Sequence, residues 1–142
     1  MKKTILLVLM LFSAQLFAKE YKDEDEIIKH AVAALENQDF EKLKEILCYN
    51  MIDNENETKI RNVIDMFKSH INNRKINFVE IGEKIKLGTS VCSFMLIVRF
   101  TATNEVDNFL FMRLYYEKYR KGWLMTNINA NTDINLIRPN MK

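Results

Sequence analysis

From Asp23 onward the polar and apolar positions follow two rhythms, helical as far as Asn72 and alternating from Ile76. Ile27, Ile28, Ala31, Ala34 and Leu35 recur at helical spacing and predict a first helix over 23–37. Its start carries the acidic run Asp23-Glu24-Asp25-Glu26, where carboxylates favour the positive end of the helix dipole. Four consecutive acids point around the axis instead of converging, so the run reads as a solvated helix start and not as a cation site. Asn37-Gln38-Asp39 breaks the pattern, and Asp39 can cap a second helix whose face holds Phe40, Leu43, Ile46, Leu47 and Met51. The segment 53–58 is expected to be a polar loop, and Ile60, Val63, Ile64, Phe67 and Ile71 predict a third helix over 58–72. Alternation then predicts strands over 76–87, 91–101, 108–119 and 123–129, joined at Gly88-Thr89, Thr103-Asn104-Glu105 and Arg120-Lys121-Gly122. In the first strand the apolar parity switches near Gly82, which predicts a bulge that curves the sheet. Residues 130–142 lack a period and are expected to form a partly disordered tail. Helices followed by short-linked strands make an α+β domain, with three N-terminal helices packed on one face of a curved four-stranded antiparallel sheet.

Residues 1–18 have their own organisation: Lys2 and Lys3, an apolar run from Ile5 to Phe12, and Leu16-Phe17-Ala18 before the polar Lys19. This is the three-part form of a bacterial secretory signal peptide, with cleavage expected after Ala18 and a single domain over 19–129. Ser13 and Gln15 interrupt the run before it reaches spanning length, so no membrane anchor is expected after processing. The expected address is the periplasm or the medium. Loss of Lys2 and Lys3 from the 21 basic residues leaves 19, equal to the 19 acidic ones. That balance removes the electrostatic case for binding nucleic acid. In an oxidising compartment Cys48 and Cys92 are either one disulfide or two buried thiols.

The segment Ala34-Leu35-Glu36-Asn37-Gln38-Asp39-Phe40-Glu41-Lys42-Leu43 resembles the helix-break-helix of the nuclear transport factor 2-like superfamily. Lys121-Gly122-Trp123-Leu124-Met125-Thr126-Asn127-Ile128 is similar to its closing strand. The resemblance spans nearly the whole of 19–129 and implies a cystatin-like cone, a curved sheet wrapped around an N-terminal helix. The superfamily holds polyketide cyclases, steroid isomerases, dehydratases, transport adaptors and small secreted domains, so it does not by itself imply an activity. No position here matches an enzyme motif of the superfamily residue by residue.

Candidate chemistry is sparse. His30 and His70 flank the apolar stripes of their helices, and with Tyr116 they are the residues from which a cone-type lyase or isomerase could draw an acid–base pair. Two histidines alone are too few for zinc, and the acids of 53–58 lack the glycine and terminal Glu of a calcium loop, so no metal or cofactor is expected. Asn56-Glu57-Thr58 fits the glycosylation pattern, which a bacterial source leaves unmodified. Tyr115, Tyr116 and Tyr119 near Trp123 read as ligand-stacking groups or as a ladder pinning a hairpin. On the second and third strands one face is wholly apolar, and the other mixes Met95, Ile97, Phe109 and Phe111 with Arg99 and Arg113. Helices cannot cover both faces, and aromatics, Met and Arg are the side chains of interfaces, so a homodimer through this outer face is expected; the alternative is that the C-terminal tail or a bend of the first strand covers it. The leading functional expectation is a secreted, non-enzymatic domain that binds a small apolar ligand in the cone or a protein on the sheet; the alternative is the lyase or isomerase.

Overall fold

The computed structural model describes residues 21, 23–49, 51, 53–101, 107–120 and 122–136. The expected signal peptide, the turn at 103–105 and the last residues of the tail lie outside them. Three helices come first: α1 (Glu24–Glu36), α2 (Phe40–Leu47) and α3 (Asn54–Ile71). Four strands follow: β1 (Ile76–Leu87), β2 (Val91–Thr101), β3 (Asp107–Tyr119) and β4 (Gly122–Asn131), and then a short 3-10 turn over Ile134–Leu136.

Each helix starts where an aspartate can accept from its first turn. Asp23 accepts from the N–H of Glu26 and Asp39 from that of Lys42, both at 2.9 Å. At the third start Asp53 accepts from the N–H of Glu55 at 2.9 Å, which corrects the expected loop at 53–58. Those residues are the opening of α3: Thr58 bonds back to the Asn54 carbonyl at 2.8 Å, and Glu57 pairs with Arg61 one turn on. Capping and an i,i+4 ion pair make a helix there before any apolar stripe begins. At the other boundary α2 ends at Leu47, so Cys48 is its C-cap and Met51 packs on the core from outside the helix.

The strands form an antiparallel meander in the order β1-β2-β3-β4. Like faces like in the β2–β3 register, with Cys92↔Tyr116, Phe94↔Leu114, Leu96↔Met112 and Val98↔Leu110 all buried beneath the helices. The expected bulge lies between Ile81 and Glu83. A Cβ at Gly82 would stand 2.7 Å from Ile97 Cδ1, so glycine lets β1 bend this closely under Ile97 and Met95 without moving either side chain. A second irregularity in β4 sets Thr126 out of register, and the strand then continues two residues past its expected end, to Asn131. Three helices on one side of a curved sheet are the expected α+β cone.

Polar clasps hold the helices on the sheet. The buried Glu24 pairs with Lys86 and lies 3.7 Å from Lys84, both on β1. Lys44, also buried, ties α2 to α3 through Asp65 at 2.6 Å. Arg74 seals the end of α3, donating to the Ile71 carbonyl at 2.8 Å while its guanidinium lies 4.6 Å from the Phe100 ring centre.

Candidate functional site

The residues that could have formed an acid–base pair stand apart. His30, on α1, lies 3.9 Å from the Glu26 carboxylate and 5.6 Å from the Tyr21 ring. His70, in the last turn of α3, meets Phe100 edge-on at 5.9 Å. Tyr116 is fully buried, edge-on to Phe94 at 6.2 Å, and its hydroxyl has no hydrogen-bond partner. Burial pushes its phenol far above the ordinary tyrosine range, and the neighbouring Cys92 adds to the shift. A phenol so placed holds its proton at neutral pH, and among the described residues none accepts it.

Cys48 and Cys92 are both free, buried thiols in this structure. Burial raises both above their ordinary value, so neither is an activated nucleophile. Among the described residues no group of three His, Cys, Asp or Glu could hold a metal ion.

Between helices and sheet, side chains from α1, α2 and α3 interdigitate with those of the apolar sheet face, and the described cavities open on the surface. One, of about 300 Å³, lies at the joint of α1 and α2 and is lined by Gln38, Asp39, Phe40, Glu41, Lys68 and Asn73. Two others adjoin beside the last turns of α3 and share His70 and Thr132. The first measures about 310 Å³ and lies between α3 and the inner side of the sheet, against Met66, Phe67 and Leu110. Its neighbour measures about 430 Å³ and reaches Asn108, Phe109 and Phe111. Of the three candidate residues only His70 lines any of these spaces.

The outer sheet face departs from its expected make-up in one row. Arg113 is fully buried within the monomer, donating to Ser93 Oγ at 3.1 Å and paired with Glu83, and Met95 beside it is buried too. Both are therefore withdrawn from the expected interface set. The cause is the β1 bulge, which carries Glu83 over the row it shares with Met95 and Arg113. On the same face Glu117 accepts from the Tyr119 hydroxyl at 3.0 Å. Ile97, Arg99 and Phe111 are half-buried, and Phe109 is 46% exposed. Phe78, which the β1–β2 register places opposite Arg99, joins them at 43%. Sequence reading missed Phe78 because the shift between Ile76 and Phe78 moves it to the outer face, a displacement that alternation alone does not reveal.

No protein-family model matches the chain, and no curated protein sequence matches it. Solved structures do. A calcium/calmodulin-dependent protein kinase type II association domain from Thiobacillus denitrificans is 10% identical, with 80% of this chain and 97% of that one aligned at a TM-score of 0.59. A SEC-C motif-containing protein from Rhodopseudomonas palustris is 16% identical over 75% of this chain and 77% of its own, at 0.51. At such identities the likeness speaks of the fold alone.

Proposed function

From the nuclear transport factor 2-like fold that this chain has, we propose an exported, non-enzymatic interaction domain that pairs with a second copy through its outer sheet face. The observation that carries this reading is the outer apolar set Phe78, Ile97, Phe109 and Phe111, which lies opposite the helix-covered face. Two of its phenylalanines, Phe78 and Phe109, keep over two fifths of their surface in water, and they flank Arg99 on one continuous face. A two-fold pair requires one self-complementary patch only. Arg99, stacked 5.7 Å from the Phe78 ring, would lie at the rim, where a guanidinium keeps its water.

Sedimentation of the mature chain at micromolar concentration, beside Phe78→Glu, tests the proposal. The wild type is expected to run as a dimer and the charged variant as a monomer with an unchanged far-ultraviolet spectrum. A monomeric wild type, or a variant that stays dimeric, overturns it. Mass spectrometry of exported material should place its N-terminus at Lys19; full-length chain retained in membranes would refute export.

A further inference from the structure

The two cavities that meet at His70 border an open length of sheet edge. β3 begins at Asp107, yet its first partner on β4 is Asn131, opposite Phe111. Among the described residues the stretch from Asp107 to Leu110 therefore pairs with β2 alone. The β4 chain leaves at Thr132: Asn131 Oδ1 accepts from the N–H of Asp133, Asp133 Oδ1 from that of Asn135, both at 2.9 Å, and the 3-10 turn follows.

Strand alternation decides which backbone groups this leaves open. The N–H of Thr101 donates to the Lys75 carbonyl at 3.0 Å, on the β1 side, so its neighbour Phe100 faces β3 and bonds Asn108. At the other end of β3 the N–H of Lys118 donates to the Ser90 carbonyl at 2.8 Å, again on the β2 side. Even-numbered β3 residues thus bond β2, and odd-numbered ones face β4. The N–H and C=O of Phe109 consequently point into the space beyond Asn131, where no described strand meets them.

The cavities lie on the two sides of that space. One is on the helix side, against Met66, Phe67 and Leu110; the other reaches the outer side, against Phe109 and Phe111. Successive side chains of an extended strand point to opposite faces, so a strand laid along Phe109 would place alternate residues in the two cavities. Among the described residues neither cavity is lined by a Lys, Arg, Asp or Glu, and Met66 leaves 64% of its surface in water at the rim. Apolar and uncharged side chains are what such walls accept without stranding a charge.

We propose that this gap is a strand-addition site, in which an extended, uncharged peptide segment of a partner protein continues the line of β4 and pairs its backbone with Phe109. Backbone bonds supply the attachment and the two cavities select alternate apolar side chains. The site shares the side chains of Phe109 and Phe111 with the proposed dimer face but rests on the backbone of Phe109, so peptide binding by a monomeric wild type would leave it standing where the dimer fails.

Amide chemical shifts of the labelled chain, titrated with a panel of capped hexapeptides in which Val or Leu alternates with Thr, test it. Saturable shifts are expected at the amides of Phe109, Leu110 and Thr132 and at the His70 ring. N-methylation of alternate peptide residues is expected to weaken binding about tenfold or more, since it removes the ladder donors. Phe109→Pro, which deletes the N–H turned toward the gap together with the ring that lines the outer cavity, should do the same. If that variant does not fold, Met66→Asp at the exposed rim should weaken binding with the backbone intact. Leu87→Glu, at the C-terminal end of β1 and outside both cavities, should leave the titration unchanged. No saturable shift at Phe109 with any peptide at millimolar concentration overturns the proposal, and so does undiminished binding of the N-methylated set. Shifts at these amides that grow with protein concentration alone would assign the edge to a second copy instead.

Discussion

Gln38 shows how much a single side chain can do where two helices part. Its backbone is left-handed, at φ 55°, and its amide reaches across to the start of the sheet. Nε2 donates to the Arg74 carbonyl at 3.0 Å, and Oε1 accepts the Ile76 N–H at 3.1 Å. Gln38→Ala keeps the strained φ and removes both bonds, so a loss of about 2 kcal/mol is expected in urea unfolding. Gln38→Gly loses the same bonds but relieves the backbone, and should be less destabilising than Ala by about 1 kcal/mol. The order wild type, Gly, Ala separates the two effects; equal midpoints for Ala and wild type would mean that the clamp contributes nothing. The break at 37–39 and the Asp39 cap were legible in the sequence because both act within four residues. The partners of Gln38 lie 36 and 38 residues away, and no local pattern announces them. Arg113 is the same lesson reversed: alternation placed it on the outer face, but not under Glu83.

At the scale of elements, what could be read depended on whether the hydrophobic pattern drew the boundary. The bounds of β1 and β2 were legible to the residue, because alternation runs through each and Gly88 turns at φ 61° between them. The start of α3 was not, because its first turn is held by a cap and an ion pair and has no apolar face. Gly82 is the element-scale residue whose role follows from shape alone. Gly82→Ala sets a methyl against Ile97 Cδ1 and should cost about 1 to 2 kcal/mol, modest because the obstacle is the end of a movable side chain. Ile97→Val deletes that atom, so the penalty for Gly82→Ala should shrink when both substitutions are combined. Additive penalties would show that the bulge tolerates a Cβ by another route. The clasp between α1 and β1 is a further case: Glu24→Gln should lower the urea midpoint, and Lys86→Met should lower it little more once Glu24 has been neutralised. Independent losses in the two variants would mean that the pair does not hold the helix.

The whole domain shares one core, and three of the groups in it can lose a proton. Order of elements made the α+β cone legible, since three amphipathic helices and a short-linked meander leave few other arrangements. Most of the outer face was legible by alternation, but the edge beside Phe109 was not, because it exists only where β4 stops short of the start of β3. What the core does as one body appears in its response to alkali. Burial raises Cys48, Cys92 and Tyr116 above their ordinary values near 9, 9 and 10, so the folded chain keeps protons that the unfolded chain releases. The stability they contribute is therefore full below pH 9 and is lost as pH climbs past the unfolded values toward the folded ones. For Tyr116 the slope above pH 10 approaches about 1.4 kcal/mol per pH unit, because a fully buried phenol stays neutral while an exposed one ionises. Tyr116→Phe removes that share, and it also removes a buried hydroxyl that has no partner, so it should be neutral or stabilising at about pH 7. Urea midpoints of both proteins, measured at one protein concentration between about pH 7 and 11, should run parallel to about pH 10 and then separate, with the wild type falling faster. Parallel curves up to about pH 11 would show that Tyr116 is reached by water in the folded state.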